Sequence, residues 1–242
     1  MTAIHSEAMS TFRAGIVSDT HVPEFQPALH RALFRRLAGV DLILHAGDVT
    51  EQATLDELAR IAPVLAVRGN HDEFELPRQR IVECGPVRVG MIHGHRGRMR
   101  EFPGVAWNEA FAGRRFWWNG AKAHVTRAFA DEAVDAIVFG HFHTPMLERR
   151  TWGNTWTAAQ PRREIVLDEA PVPARPTLLF SPGATYYCTG EEAQRRLAKG
   201  GPPHHRLYYR SRLRWDPGVA TAGLLTIRGR TITPEILVID PD

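Results

Sequence analysis

The sequence predicts an α/β fold that is built on a parallel β-sheet. Apolar runs at 12–17, 40–45 and 63–67 are typical of buried strands, and two segments with leucines at helical spacing separate them. This strand–helix–strand–helix–strand order implies parallel strands joined by right-handed crossovers. Each apolar run is also followed by Asp, Asn or His side chains. Because sites in such sheets form outside the carboxyl ends of the strands, the pattern predicts a functional site at one sheet edge.

The first strand, 12–17, leads into Ser18-Asp19-Thr20-His21. Leucines then recur at helical spacing and predict a helix at about 26–38. The second strand, 40–45, alternates little between apolar and polar residues, as fully buried strands do. It is followed by Ala46-Gly47-Asp48.

A second helix is expected at 51–61, because Leu55, Leu58 and Ile61 line one face, and Thr50 is placed to cap it. The third strand, 63–67, is followed by Arg68-Gly69-Asn70-His71-Asp72. Every predicted strand in this part of the chain is therefore followed by side chains that ligate metals or carry protons.

After residue 79 the alternation of strands and helices gives way to a predicted hairpin. Two strands are predicted at 80–83 and 87–92 around Gly85-Pro86, a hairpin signal, and His93-Gly94-His95 follows the second. A helix is expected at 121–131, before an apolar strand that leads into Gly140-His141-Phe142-His143. In an extended segment these two histidines would share one side, whereas in a loop they can face two neighbouring metals.

The stretch 96–120 has two interpretations. It places tryptophans and phenylalanines among arginines, including Arg98 and Trp117. The first interpretation is a helix that its aromatic side chains pin to the core. The second is a cap over the site whose aromatics and arginines touch an organic phosphate.

Beyond residue 143 the alternation of predicted strands and helices becomes irregular. Residues 148–176 are rich in proline, with a short strand expected at 164–167, and another strand is expected at 177–180. A polar loop is predicted at 188–205, and antiparallel strands are predicted at 207–213, 223–227 and 231–239. We expect one domain over 12–242, with insertions near 96–120, 148–176 and 188–220; the alternative is a separate C-terminal β subdomain.

Composition narrows the class of protein. The chain has 242 residues, of which 43% are hydrophobic and 24% charged, and a net charge of +3. These values are those of an ordinary soluble globule, and no apolar run is long enough for a membrane helix. The basic residues are scattered rather than clustered in one block, so nucleic acid is not the expected partner.

Residues 1–11 lack a signal-peptide pattern and are expected to form a flexible tail. Cys84 and Cys188 suggest a reducing, cytoplasmic setting.

The polar side chains at the strand ends form a mixed set of carboxylates, imidazoles and an amide. This set suits Mn, Fe, Zn, Co or Ni rather than Ca. Seven or more such donors are too many for one tetrahedral ion. They suit two metal ions that share a carboxylate, an arrangement used for the hydrolysis of phosphate esters.

Taken together, the motifs resemble those of the calcineurin-like metallophosphoesterase superfamily. Ser-Asp-Thr-His, His-x-Gly-Asp, His-Gly-His, Gly-His-x-His and a later Ser-Pro-Gly are similar to its small bacterial and archaeal phosphodiesterase branch, related to the retromer subunit Vps29. The resemblance covers roughly 12–184 and the final hairpin. It implies a four-layer αββα sandwich of two mixed β-sheets flanked by helices.

The resemblance also implies roles for individual residues. Asp19, His21 and His143 would hold one metal ion, and Asn70, His93 and His141 a second, with Asp48 between them. His71 would contact the phosphate and protonate the leaving oxygen. His95 would touch phosphate or orient His93, and Asp72 would contact substrate or orient His71. His45, inside a strand, is expected to support the site rather than to ligate.

The function so implied is a two-metal phosphoesterase that acts on a small organic phosphate by in-line attack of a hydroxide held between the ions. Mn is the expected ion, and a phosphodiesterase is favoured over a phosphatase. Two departures from the branch stand out: His71 is present where much of the branch has Cys, and Phe142 stands where Thr is usual. The alternatives are a catalytically silent, Vps29-like interaction scaffold and a nuclease.

Overall fold

A computed structural model describes residues 10–96, 114–150, 156–167, 176–186, 190–201 and 219–240, with residues 203, 206, 209, 210 and 213. Its helices are α1 (Arg31–Arg36), α2 (Gln52–Leu58), α3 (Arg114–Ala128) and α4 (Gly190–Ala198). The strands of the first half are β1 (Thr11–Val17), β2 (Leu42–His45), β3 (Val64–Ala66), β4 (Gln79–Cys84), β5 (Val87–Ile92) and β6 (Ala136–Phe139). Those of the second half are β7 (Pro145–Arg150), β8 (Trp156–Ala158), β9 (Ile165–Val166), β10 (Leu178–Pro182), β11 (Thr221–Arg228) and β12 (Thr231–Val238).

The strands form two six-stranded mixed sheets. The first has the order β3-β2-β1-β11-β12-β9, and the second has the order β4-β5-β6-β10-β7-β8. Within the first sheet β1, β2 and β3 are parallel, and β11 pairs antiparallel with β1. Within the second sheet β5, β6 and β10 are parallel. The predicted two-sheet α/β sandwich is confirmed.

Buried apolar side chains form three layers, one between the two sheets and one on the outer face of each sheet. Along β1, Ala14 and Ile16 point between the two sheets, whereas Val17 points to the outer face that α1 covers. This alternation is the two-residue period of a strand with both faces buried. Helix α3 covers the outer face of the second sheet through Ala121 and Val125. The layers therefore run helix, sheet, sheet, helix.

The C-terminal hairpin is part of the first sheet. Strand β11 pairs with β1 from Thr11 opposite Arg228 to Ile16 opposite Gly223, and β12 extends the sheet beyond it. The last strands of the chain thus complete the sheet that the first strands begin.

Several elements differ from the prediction. Residues 148–176 were expected to be loose beyond one short strand, but the end of β7 and all of β8 lie in this range and extend the second sheet. The polar loop predicted at 188–205 contains α4, because Ala193 and Leu197, four residues apart, pack in a cluster with Tyr186 and Tyr209. The same packing explains why Tyr209 is helical rather than in the strand predicted at 207–213, where Arg210 and Leu213 are also helical.

Thr50 does not cap α2, contrary to the prediction. The N-cap residue is Glu51, without a side-chain cap hydrogen bond. Thr50 has a φ of 80°, and its N–H donates to Asp72 Oδ1 at 2.8 Å. A residue held in this left-handed conformation cannot take the extended backbone of an N-cap.

The aromatic and arginine-rich stretch 96–120 is only partly described. Helix α3 begins at Arg114, and residues 97–113 lie outside the described residues, as do the side chains of 114–118. Neither interpretation of this stretch is therefore decided. In the part of the chain that the structure describes, no helix combines the length and apolarity that crossing a membrane requires.

Candidate metal centre

Five loops meet at one edge of the sandwich. Three of them follow the parallel strands β1, β2 and β3 of the first sheet, and two follow the parallel strands β5 and β6 of the second. The predicted site residues all lie in these loops. Because parallel strands present their carboxyl ends at the same edge, side chains that are far apart in sequence face one another here.

The first donor group combines Asp19, His21, Asp48 and His143, all buried, with one donor atom from each lying within 4.8 Å of the others. His143 Nε2 lies 3.2 Å from Asp19 Oδ1. His21 Nε2 lies 3.3 Å from His143 Nε2 and 3.5 Å from Asp48 Oδ2. The group draws on both sheets, since His143 follows β6 and the others follow β1 and β2.

The second donor group combines Asp48, His93 and His141. His93 Nε2 lies 3.2 Å from Asp48 Oδ2 and 3.1 Å from Asn70 Oδ1. Asp48 therefore belongs to both groups, and Asn70 borders the second. All seven residues predicted as metal ligands are brought together.

Contacts from outside the two groups orient the donors. His93 Nδ1 lies 2.8 Å from the carbonyl oxygen of Ala46, so its Nε2 faces Asp48 and Asn70. The Ser18 hydroxyl donates to the Asp19 carboxylate, which also accepts the N–H of His141 at 3.0 and 3.1 Å. These contacts leave the predicted donor atoms pointing inward.

The Asp72 carboxylate lies beneath the loops. It is buried and accepts N–H groups at 2.7–3.1 Å from Asp48, Val49, Thr50 and Gly69. A carboxylate that accepts several backbone N–H groups organises the backbone around it. Asp72 thus ties the loop after β2 to the loop after β3.

The backbone of the donor loops is unusual. Five non-glycine donors have left-handed backbone: Asp19, His21, Asp48, His141 and His143, with φ between 47° and 73°. Such conformations cost on the order of 1–3 kcal/mol each and gather at functional sites. The fold therefore imposes a strained arrangement on these residues.

Two glycines let the loops approach each other. A Cβ at Gly69 would lie 2.1 Å from Asp48 Oδ1, and a Cβ at Gly140 would lie 1.8 Å from Ser18 Oγ. Neither position can hold a side chain without moving a donor loop. Gly69 therefore lets the loops after β2 and β3 approach each other, and Gly140 lets the loop after β6 approach the loop after β1 of the other sheet.

Buried charge is concentrated at the site. Burial by itself would raise the pKa of Asp19, but His143 and His93 outweigh it and lower that pKa to about 2. Burial likewise opposes ionisation of Asp48, whose pKa His93 and His21 hold well below its ordinary value. For His93 the burial cost is overcome by Asp48, which raises its pKa to about 9. Two buried carboxylates therefore stay charged, and the charged His93 ring lies beside them.

His45 is a buried neighbour of the donors. Its Nε2 lies 3.2 Å from Thr20 Oγ1, and its Nδ1 accepts the N–H of Gly47 at 3.3 Å. Burial, the largest cause, lowers the pKa of His45 to about 4, so it is neutral. It belongs to neither donor group.

His71 and His95 border the donor groups. The backbone N–H of His71 donates to Asp48 Oδ1 at 2.8 Å. The side chain of His71 is 32% exposed, which leaves its ring open to a ligand. The His95 ring centroid lies 5.4 Å from that of His93 and 6.2 Å from that of His141. The side chain that faces His71 Nδ1 is Glu24, not Asp72.

Sequence reasoning did not single out several residues around the site. Glu24 and Phe25 lie beside His21 and His71, and Arg196 of α4 stacks on Phe25 with its guanidinium 4.7 Å from the ring centroid. Pro23 and Pro27 in this segment are typical of a loop and give no sign of the contact. The three-residue spacing of His21 and Glu24 is a sequence signal that could have indicated it.

The donor set fits divalent transition-metal ions. Imidazole nitrogens, carboxylate oxygens and the Asn70 amide oxygen converge from five loops, and opposed atoms such as His21 Nε2 and His143 Nε2 lie only 3.3 Å apart. Two buried negative charges call for a compensating cation. The set matches the borderline donors that such ions select.

Sequence comparisons agree with this chemistry. Residues 12–193 match the family described as the calcineurin-like phosphoesterase superfamily domain. A probable metallophosphoesterase of Methanocaldococcus jannaschii is 33% identical over 138 residues, which are 57% of this chain and 62% of that protein. A probable metallophosphoesterase of Methanothermobacter thermautotrophicus is 46% identical over 83 residues, which are 33% of this chain and 48% of that protein. The matched region thus spans less than two thirds of either relative.

Solved structures share the fold. Vacuolar protein sorting 29 (Vps29) of Cryptosporidium parvum is similar with a TM-score of 0.56 at 16% identity, over 94% of this chain and 98% of that one. A Vps29 of Entamoeba histolytica complexed with Zn²⁺ gives a TM-score of 0.52 at 18% identity, over 95% and 100% of the two chains. With its two mixed sheets, its buried metal-donor cluster and a family match over 12–193, the chain belongs to the calcineurin-like phosphoesterase superfamily.

Proposed function

We propose that this phosphoesterase uses two divalent metal ions to hydrolyse an ester of a small organic phosphate. One observation carries the proposal: the two donor groups share Asp48, whose Oδ2 lies 3.5 Å from His21 Nε2 and 3.2 Å from His93 Nε2. A carboxylate common to two donor groups is suited to bridge two ions.

In this proposal each donor group holds one ion. The first ion would be held by Asp19, His21, Asp48 and His143, and the second by Asp48, Asn70, His93 and His141. Mn is the expected ion, and Fe, Zn, Co and Ni suit the same donors. When bound, the ions would neutralise phosphate charge and lower the pKa of water.

Residues beside the metal donors would bind the substrate or transfer a proton to it. His71, partly exposed and backed by Glu24 at Nδ1, would donate a proton from Nε2 to the leaving oxygen. His95 would help to hold the phosphate. We assign Asp72 to the support of the loops, since four backbone N–H groups occupy its carboxylate.

The preference for a diester over a monoester, and the small size of the substrate, rest on the motif resemblance to the phosphodiesterase branch. We also propose that 12–242 forms one domain, which the pairing of β11 with β1 supports. The cytoplasmic location and the absence of nucleic acid among its ligands stay predictions from composition.

A Vps29-like scaffold is the second candidate, because Vps29 proteins have the same fold. Metal binding alone does not separate the two, since a Vps29 of Entamoeba histolytica has been solved with Zn²⁺. Turnover does separate them. A scaffold has no need of a proton donor beside its metal site, whereas His71 is in place here.

The test combines metal content with turnover. Metal-replete protein is expected to hold two ions per chain by elemental analysis, and to hydrolyse bis-p-nitrophenyl phosphate faster than p-nitrophenyl phosphate. Asp48→Asn should disturb both ions and abolish turnover. Asp56→Asn on α2, an exposed carboxylate, is the matched control and should do neither. Two ions without turnover of either ester would favour the scaffold, and fewer than two ions would refute the two-metal proposal.

A further inference from the structure

The carboxylate of Glu24 lies beside two histidines of the site, and in each of them it faces the ring nitrogen Nδ1. Its Oε2 lies 2.9 Å from His71 Nδ1 and 3.5 Å from His21 Nδ1, and its Oε1 lies 3.1 Å from His71 Nδ1. An ionised carboxylate only accepts hydrogen bonds, so His71 Nδ1, which contacts it at hydrogen-bond length, carries a hydrogen. In the neutral His71 ring this leaves the lone pair on Nε2, whereas in the charged ring both nitrogens carry a hydrogen.

The local structure holds Glu24 in this place. The N–H of Phe25 donates to the carbonyl oxygen of His21 at 2.8 Å, which closes a turn around Glu24. The Phe25 ring stacks on the His21 ring with centroids 4.4 Å apart and meets the His71 ring edge-on at 5.6 Å. Gln26 fastens the same turn by donating to the carbonyl oxygen of Thr20 at 2.7 Å.

The charge on Glu24 fits this contact. The nearby His21 is the largest influence on the pKa of Glu24, and together with His71 it outweighs partial burial and lowers that pKa. Glu24 is therefore an ionised acceptor at neutral pH, although its side chain is 36% exposed.

We propose that Glu24 is the positioning residue for His71: its carboxylate holds the ring by Nδ1 and turns Nε2 into the site. His21 Nδ1 also lies near this carboxylate, while its Nε2 lies 3.5 Å from Asp48 and 3.3 Å from His143. For His71 the contact leaves Nε2 to face the leaving oxygen, to which the doubly protonated ring would give its Nε2 proton while Nδ1–H stays on Glu24. The part that concerns proton transfer rests on the function proposed above.

The donor atoms of His21, Glu24 and His71 also lie within 4.8 Å of one another, a spacing that a metal ion could use. The contact of 2.9 Å between Glu24 Oε2 and His71 Nδ1 is the length of a direct N–H···O hydrogen bond, which favours positioning over ligation. The experiment therefore measures metal content as well as histidine tautomers.

The spectroscopic arm reads the tautomers directly. Full-length protein labelled with ¹⁵N-histidine is studied by long-range ¹H–¹⁵N NMR at about pH 8.5, where ordinary histidines are neutral, with and without Zn²⁺. His71 is expected as the Nδ1–H tautomer in the native protein and in Glu24→Gln, whose amide oxygen still accepts. In Glu24→Ala the preference should be lost. Glu73→Gln, an exposed carboxylate two residues from His71, is the matched control and should match the native protein.

The kinetic arm uses one alkyl ester and one p-nitrophenyl ester. Glu24→Ala should lower kcat on the alkyl ester by about 10- to 100-fold, the range for outer-sphere partners of metal-site histidines, and affect the p-nitrophenyl ester less. In a His71→Ala background it should add no further loss on the alkyl ester.

An unchanged His71 tautomer in Glu24→Ala would overturn the proposal. So would the loss of a bound ion in Glu24→Ala but not in Glu73→Gln, because Glu24 would then be a ligand. If the tautomer changes but both esters are slowed equally by His71→Ala, the proton-donor role of His71 fails while the contact with Glu24 stands.

Discussion

At the scale of single residues, Asp48 connects the two halves of the site. Its carboxylate lies beside His21 of one donor group and His93 of the other, and its Oδ1 accepts the N–H of His71 at 2.8 Å. The left-handed backbone of Asp48, with φ of 55°, directs it inward, and Gly69 leaves room for it. One side chain thus contacts both donor groups and the loop that carries His71.

His71→Ala is predicted to separate substrates by their leaving groups. A positioned general acid contributes roughly 10²–10⁴-fold, and most of this serves a poor alkyl leaving group rather than p-nitrophenolate, which leaves unprotonated. Steady-state kinetics on both esters, with metal content measured alongside, checks this. Two retained ions and a much larger loss on the alkyl ester are expected. An equal loss on both esters would indicate phosphate binding, and a lost ion would mean that His71 is a ligand.

His45 is predicted to make the metal-free protein sensitive to mild acid. Its pKa is about 4 when folded and about 6.5 when unfolded. The unfolded chain therefore takes up the proton first, so the contribution of neutral His45 is complete above pH 6.5 and is lost as pH falls towards 4. The loss in unfolding free energy approaches about 1.4 kcal/mol per pH unit in this window.

Urea unfolding at several pH values, after chelation, measures this contribution. His45→Gln should lose stability less steeply than the native protein between pH 6.5 and 4, because Gln takes up no proton. His30→Gln, which removes a half-buried histidine outside the site, is the control and should keep the native slope. Parallel curves for His45→Gln and the native protein would contradict the prediction.

At the scale of elements, the site depends on how closely β10 and β11 approach across the two sheets. Gly223 of β11 faces the ring of Phe180 in β10, and a Cβ there would lie 2.6 Å from two ring atoms. The glycine is therefore a packing requirement, although glycine ordinarily weakens a strand. The two sheets carry the two sets of donor loops, so their separation sets the geometry of the site.

Gly223→Ala is predicted to destabilise the fold by about 1–3 kcal/mol, the usual cost of overpacking. Urea unfolding measures the change. Phe180→Leu in the same chain should restore part of the loss, so the double variant is expected to be more stable than the sum of the single variants implies. If the two substitutions are additive, the side chains do not clash and the packing account is wrong.

At the scale of the whole molecule, the two sheets pack on a shared core and carry the donor loops at one edge. Before any ion binds, that edge carries the charges of Asp19 and Asp48 in a buried setting. Ions that bind only the folded chain stabilise it by mass action. Folding and metal binding are therefore expected to be coupled.

Metal-replete protein is predicted to melt at higher temperature than chelated protein. At an ion concentration of about 100 times Kd the gain is about 2.7 kcal/mol per site, or roughly 5–10 °C for a domain of this size. Scanning calorimetry with Mn²⁺ and with a chelator measures it. Asp48→Asn should lose most of the shift and Asp56→Asn should keep it. An equal shift in Asp48→Asn would place the ion elsewhere.

Much of this protein can be predicted from its sequence. Buried strands such as β6 are continuous apolar runs, α2 has leucines at helical spacing, and the donors stand directly after strands, so local periodicity and strand ends were enough to find them. The motif set predicted the family, and the match over 12–193 confirms it. These features are local, or they repeat a fixed spacing.

Only the tertiary structure decided the rest, because the deciding contacts join residues far apart in the chain. Helix α4 has few apolar residues, and it is Phe25 and Tyr186 that give Ala193 and Leu197 a surface to cover. Glu24 is an ordinary loop residue until His71, 47 positions later, lies against it. His143 contacts His21, 122 positions earlier, only because β1 and β6 end at the same edge. Periodicity reports which face of an element is buried, but not which distant element buries it.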